Sequence, residues 1–429
     1  MLLEIAPRDR TISGHIANLL ERYLTVRRFS EELCKPLVVE DYVVQSMPEV
    51  SPTKWHLAHT SWFFETFLLT PYLSNYQPFD ARFSYLFNSY YNAIGDRHCR
   101  QNRGLLSRPT VQEIYDYRNH VDIHITSLLE GADAGLISNI DPLMAIGIHH
   151  EQQHQELMLT DIKHVFWVNP LRPAYLEKHQ TESPNIAVSG WTRLAPGLIE
   201  VGHQGPGFAF DNEGPRHQVF VAQFELATRL VTNGEFKDFI DDGGYRRPEL
   251  WLSMGWASAK SEGWNAPLYW FEDGASWLNF SLSGLRPVEN DEPVCHLSYL
   301  EADAFARWKG ARLPTEFEWE AAAATLPTFD GAFVELRSFH PGIARDKKGL
   351  QQMFGELWQW TSSSYAPYPG YRPAEGALGE YNGKFMCNQY VLRGGSVATS
   401  RTHMRRTYRN FFPPATRWQF SGLRLARDV

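Results

Sequence analysis

Apolar residues never run long enough in this chain to cross a bilayer as a helix, which takes about 20 of them, so a membrane-spanning helix is excluded. Cysteine is scarce. Cys34, Cys99, Cys295 and Cys387 lie far apart with no CxxC pair, which argues against both a disulfide framework and a zinc ribbon. Positive charge is in deficit, 41 Lys+Arg against 49 Asp+Glu for a net charge of -8, and that disfavours broad binding to nucleic acid or an anionic membrane. The opening MLLEIAPRDR lacks the basic-then-apolar layout of a signal peptide, and the expectation is a cytoplasmic protein with no nucleic-acid and no membrane partner. There is no internal repeat and no low-complexity tract. With 43% hydrophobic and 21% charged residues, disordered and collagen-like classes drop out as well.

What the chain does have is length for two or three domains at about 150 residues each, and 16 histidines. Its first 170 residues read as helices. Ile12, Ile16, Leu19, Tyr23 and Val26 recur at helical spacing. A second helix is expected to open at Ser51-Pro52, a hydroxyl cap with proline at the first position, and to run through WHLAHTSWFFETFLL. A capping box, Thr110 with Glu113, starts a third helix striped with Ile114, Val121, Ile125 and Leu128; a fourth is expected from Asp141-Pro142 toward Asn169-Pro170. The long excursion between the second and third suggests a bundle with a functional loop. Residues 171–190 lose helical period and read as a linker. From 191 to 429 the chain is rich in Gly, Trp, Tyr and Pro, with short apolar alternations and two clear helices, near 231–241 and 298–309, as in an irregular α+β domain.

The sharpest local signal is IHHEQQHQE. His150 and His154 are four apart and share a helix face with Leu143, Gly147 and Leu157, so both imidazoles point into the bundle. Two buried imidazoles side by side are costly unless their nitrogens are satisfied, and a divalent metal satisfies them in the neutral state. The plainer reading is a pair of core histidines bonded to backbone or carboxylates. His120 and His124 repeat the spacing on the third helix, so spacing alone does not decide. A third ligand is available on the second helix as His56 or His59, and the helical wheel leaves both open because both stripes are largely apolar. Glu151 and Glu156 are carboxylates that would complete a two-histidine, one-carboxylate iron set, although Glu156 lies roughly 200° round the helix from His154. Gln153 sits close enough to that face to bond a substrate.

On the excursion, Tyr90 and Tyr91 are either packing residues or a proton source beside a metal, and Arg97, Arg100 and Arg103 suit a carboxylate or a solvated loop. Near the end of the chain Arg401, Arg405, Arg406, Arg409 and Arg417 stand among aromatics. They make either a salt-bridge network or a small-ligand pocket, in which aromatic faces would suit a trimethylammonium group.

Beyond these residues, the segments LAH (57–59), HHEQQHQE (149–156), PVCHLSYLEADAFARWKGARLPTEFEWEAAA (293–323), GELWQW (355–360), VLRGGS (391–396) and SGLRLAR (421–427) together resemble the EgtB-type sulfoxide synthases of ergothioneine biosynthesis, the hercynine oxygenases. The resemblance covers nearly the whole chain. It implies an α+β multidomain protein, a DinB-like four-helix bundle over 1–170 joined to a formylglycine-generating-enzyme-like, C-type-lectin-related domain over 191–429. The implied activity is that of a non-heme Fe(II) oxygenase with O2 as co-substrate. It joins the sulfur of cysteine, or of γ-glutamylcysteine, to imidazole C2 of hercynine (Nα-trimethylhistidine) and oxidises that sulfur to a sulfoxide. The resemblance puts the iron on His59, His150 and His154, Gln153 on the hercynine imidazole, and an acid on Tyr91 with Tyr90 as its neighbour. Where other branches place a tyrosine after GGS, this chain has Val397-Ala398-Thr399, and where an acid meets the γ-glutamyl group it has Asn410-Phe411-Phe412. Both departures favour free cysteine, with Arg100 and Arg103 on its carboxylate. Hercynine is expected between Gln153 and the aromatics Phe411 and Phe412.

Three other readings differ in what they need. A formylglycine-generating enzyme needs cysteines near the RGGS segment, which are missing. A 5-histidylcysteine sulfoxide synthase of the ovothiol type usually carries an added methyltransferase domain. A noncatalytic lectin-like binding protein leaves the inward histidines unexplained.

Overall fold

The computed structural model describes residues 10–177, 189–274, 276–326, 329, 331–345 and 347–429; residues 178–188 of the expected linker lie outside them. The chain divides into two compact units, Met1–Val165 and Phe166–Val429. A helical N-terminal region followed by an α+β region is the fold class expected from the sequence. No helix among the described residues is long and apolar enough to cross a membrane.

The first unit is built on α1 (Arg10–Cys34), α2 (Thr53–Phe64), α3 (Val111–Gly131) and α4, an Ala134–Val168 helix whose last residues belong to the second unit. In α1 the expected stripe is inward, with Ile16, Leu19 and Tyr23 buried. α2 has no outer face at all, every residue from Thr53 to Phe64 being buried, which explains why its wheel cannot separate His56 from His59. It continues through a π-helical stretch, Glu65–Leu69, in which the Thr70 N–H reaches back to the Glu65 carbonyl. α2 and α4 approach closely at Gly147, where a Cβ would come within 2.5 Å of the Phe64 ring.

Two helix starts differ from expectation. Ser51 does not cap α2. Its hydroxyl accepts from the Arg103 guanidinium at 2.9 Å and its N–H donates to Asp161 at 2.9 Å, while Pro52 takes the cap position without a side-chain bond. α4 begins before Asp141, with the Asp133 carboxylate accepting from the Leu136 N–H at 2.8 Å, and Pro142 lies inside the helix. An interior proline costs about 3 kcal/mol, and here the buried stripe of Ile140, Met144 and Ile148 offsets it. The capping box on α3 is as expected, with Thr110 and Glu113 bonded reciprocally.

In the second unit, β1 (Trp191–Leu194), β4 (Phe224–Ala227) and β12 (Ala426–Asp428) form one sheet, with β4 central and wholly buried. β2 (Gly197–Val201) and β3 (His217–Val221) make a hairpin, and β5 (Trp270–Asp273), β6 (Ser276–Ser281) and β7 (Gly284–Pro287) a meander. The fourth sheet runs β10-β9-β8-β11, from β8 (Trp358–Ser364), β9 (Tyr390–Arg393), β10 (Asn410–Phe412) and β11 (Ser421–Gly422). After β9 the chain turns at Gly394, whose φ of +102° and 2.5 Å approach to the Met353 carbonyl admit no side chain.

Helices α5 (Asn233–Asp241) and α7 (Tyr299–Trp308) are the two read from the sequence; α6 (Ser253–Ser261) and α8 (Glu316–Ala324) are additional. α8 escaped a search for amphipathic stripes because acidic, aromatic and alanine positions are buried alike: Glu316, Glu318, Trp319, Glu320, Ala322 and Ala323. Its capping box, Thr315 with Glu318, was the available signal.

Candidate metal centre

His59 from α2 and His150 and His154 from α4 converge inside the first unit. One ring nitrogen from each lies within 4.8 Å of the others, and all three side chains are buried. The ring centroids are 4.9 Å (59 to 150), 4.7 Å (59 to 154) and 4.6 Å (150 to 154) apart. The HxxxH pair on α3 is different. His120 and His124 lie with tilted rings 4.2 Å apart near Tyr76 and Phe79, and among the described residues no third metal-ligating group joins them.

The proton positions suit a cation. His59 Nδ1 is 2.6 Å from the Phe87 carbonyl oxygen. A carbonyl only accepts, so Nδ1 carries the proton and Nε2 the lone pair, and this buried Nε2 has no hydrogen-bond partner. Such an orphaned buried acceptor is costly unless a metal takes it, which is the test the site passes. Burial first, and neighbouring imidazoles next, hold His59 and His154 well below the usual histidine range; burial brings His150 down to about 3. All three therefore stay neutral, the form that ligates.

Trp55, one turn before His59, stacks on its ring at 4.6 Å, and Trp62, one turn after, at 5.5 Å. This aromatic sleeve fixes the ring and excludes water. Over Trp55, 3.3 Å from its ring centre, lies the guanidinium of Arg103. Arg103 is 3% exposed and is held by the Ser51 and Ser89 hydroxyls; among the described residues it has no carboxylate partner. Desolvation, with Arg100 adding repulsion, pushes it down to about 8. A buried cation without a carboxylate partner among the described residues, one ring away from the histidine cluster, has the chemistry to receive an anion. Arg100 is exposed and donates to the Glu49 carbonyl instead.

Tyr91 is fully buried. Its ring packs against Trp62 at 5.5 Å and Phe67 at 5.3 Å, and Tyr90 stacks on it at 4.8 Å. Asn88 pins the turn by bonding both the N–H and the carbonyl of Tyr91. Phe63 links this group to His150 at 4.9 Å. Gln153, half-buried, precedes His154 on α4.

The carboxylates weighed as ligands are elsewhere. Glu151 faces away from the cluster into a buried knot with Arg27, Arg118 and Ser30. Glu156 is half-buried and outside the histidine group. In the second unit Phe411 and Phe412 are consecutive on β10 and so face opposite sides. Phe411 stacks on Tyr365 at 4.0 Å and Phe412 meets Trp418 edge-on at 6.1 Å, so only one of the two could face a given ligand. Three of the C-terminal arginines make separate salt bridges, Arg405 with Glu213, Arg409 with Glu316 and Arg417 with Glu301, while Arg401 and Arg406 donate to backbone carbonyls.

Sequence reasoning passed over Asp161 and left His56 without a role. His56 Nδ1 is 2.8 Å from His154 Nδ1, and His56 Nε2 is 3.0 Å from Asp161 Oδ2. The signal was present: Asp161 follows His154 by seven residues, an acid on the inward stripe of α4.

Comparison with known proteins first defines a class. Residues 177–333 and 335–429 match the sulfatase-modifying factor enzyme 1-like domain. Hercynine oxygenase of Mycolicibacterium smegmatis is 34% identical over 315 residues, 66% of this chain and 71% of that protein. That of Mycobacterium tuberculosis is 34% identical over 309 residues, 67% and 72%. Ergothioneine biosynthesis protein 1 of Schizosaccharomyces pombe is 29% identical over 233 residues, 52% of this chain and 28% of that one. The chain belongs to the hercynine oxygenase family, the EgtB-type oxygenases of ergothioneine biosynthesis.

Proposed function

We propose that this chain is a non-heme Fe(II), O2-dependent sulfoxide synthase joining hercynine C2 to the sulfur of free cysteine, with hercynylcysteine sulfoxide as product. The observation that carries the reading is the cluster of three neutral, buried histidines beside an unpaired buried guanidinium. The reaction balances: one C–H and one S–H are lost, one oxygen atom enters the sulfoxide, and the other leaves as water. His59, His150 and His154 would hold ferrous iron, which would supply the O2-activating chemistry.

The chain's own residues do the rest. Arg103 draws the cysteine carboxylate in and orients the thiol toward the histidines, with Arg100 at the exposed end. Gln153 offers its amide to the hercynine imidazole. Tyr91, screened by Trp62 and Phe67, keeps its phenol proton available to the reacting oxygen, and Tyr90 stacks behind it. Burial holds the Tyr90 phenol above its ordinary range, so it stays protonated at working pH.

The test is anaerobic loading with Fe(II), addition of O2, hercynine and one thiol at a time, and mass spectrometry of products. The sulfoxide from cysteine is expected. A preference for γ-glutamylcysteine would overturn the donor, and equal turnover of histidine would favour an ovothiol-type reaction.

A further inference from the structure

His59 and His154 each have their second nitrogen anchored, and the two anchors differ. His59 donates from Nδ1 to the neutral Phe87 carbonyl. His154 meets another imidazole, His56, and behind that a carboxylate, Asp161, both buried. The geometry dictates the protons. Asp161 Oδ2 accepts from the Ser51 N–H at 2.9 Å and from His56 Nε2 at 3.0 Å. With the His56 Nε2–H directed at Asp161, Nδ1 of His56 is the acceptor in the 2.8 Å Nδ1–Nδ1 contact, and the one proton between the rings belongs to His154. That leaves the lone pair of His154 on Nε2, for the cluster.

We propose that His56 and Asp161 are positioning residues for the metal centre, a carboxylate–imidazole relay that sets the tautomer of His154 and makes it a stronger donor than His59. The proposal rests on the metal reading above. The relay joins residues 98 and 105 positions apart, so it also locks α2 to α4 at the point where they share the ion. Ser51 ties it to the anion site, since its N–H serves Asp161 and its hydroxyl serves Arg103.

The test uses the full chain with Co(II) alone, reading its dissociation constant by chelator competition and its visible spectrum. His56→Leu and Asp161→Asn are expected to weaken binding by about 10- to 100-fold and to shift the spectrum, the usual cost of losing a ligand's anchor. His56→Gln, whose amide oxygen accepts from His154 and whose amide nitrogen donates to Asp161, is expected to restore most of the affinity. A purely structural role would lower the melting temperature of all three and leave the folded fraction's affinity unchanged. His56→Leu binding Co(II) like the wild type, or His56→Gln failing as badly as His56→Leu, would overturn the relay. If His56→Leu does not fold, unchanged affinity and spectrum in Asp161→Asn overturns it. No Co(II) binding by the wild type would instead sink the metal reading together with the relay.

Discussion

At the scale of single residues, the histidines make the simplest prediction. His59→Ala, His150→Ala and His154→Ala are each expected to lose most bound iron and the oxygenase activity together, whereas His120→Ala retains both; metal analysis of the purified variants decides. Tyr91→Phe removes a phenol without changing the packing against Trp62 and Phe67. It is expected to keep oxygen consumption but to divert cysteine toward its sulfinate, and unchanged sulfoxide yield in both Tyr91→Phe and Tyr90→Phe would remove the acid role. Arg103→Met keeps a long apolar side chain over Trp55 and loses the charge. A charge-assisted bond is worth about 1.5–3 kcal/mol, so KM for cysteine should rise roughly 10- to 100-fold with little change for hercynine; steady-state kinetics with each substrate varied in turn measures it.

At the scale of elements, α4 carries two functions on adjacent faces. His150 and His154 face α2, while Glu151 binds Arg27 of α1 and Arg118 of α3. Burial alone would raise the Glu151 carboxyl, but the two guanidiniums overcome it and bring the group down to about 2 from 4.5. A depressed carboxylate contributes stability above its unfolded value and loses it as pH falls toward the folded one. The contribution, about 3 kcal/mol, is therefore present at neutral pH and declines below about pH 4.5. Urea unfolding from pH 6 to 3.5 is expected to show the wild type's advantage over Glu151→Gln shrinking across the acid end. At neutral pH that variant should be destabilised by about 3 kcal/mol, because it removes the one fully buried carboxylate shared by Arg27 and Arg118 and leaves them only the more exposed Asp122 and Glu31. Element starts were legible where a cap is local and was looked for, as at Thr110; the equally local box at Thr315 was passed over. They were misread at Ser51, whose polar groups are claimed by Arg103 and Asp161 from distant parts of the chain.

At the scale of the whole molecule, an ion that binds only the folded first unit adds RT ln(1 + [L]/Kd) to its stability, about 2.7 kcal/mol at a hundredfold excess over Kd. Stripping the metal with a chelator should lower the melting temperature of the wild type and leave that of His150→Ala unmoved, which differential scanning measurements will show. The sequence by itself determined the helical period that puts His150 and His154 on one face, the change of texture between the two regions, and the motifs that mark the family. All of these are local patterns or runs of consecutive residues. Only the tertiary structure set His56 against His154 and Asp161, turned Glu151 toward arginines rather than toward the histidine cluster, buried Arg103 over Trp55, and put Phe411 and Phe412 on opposite faces of a strand. Each of those outcomes depends on which helix or strand packs against which across long stretches of chain, and on the pairing that buried charge requires; no local period encodes either.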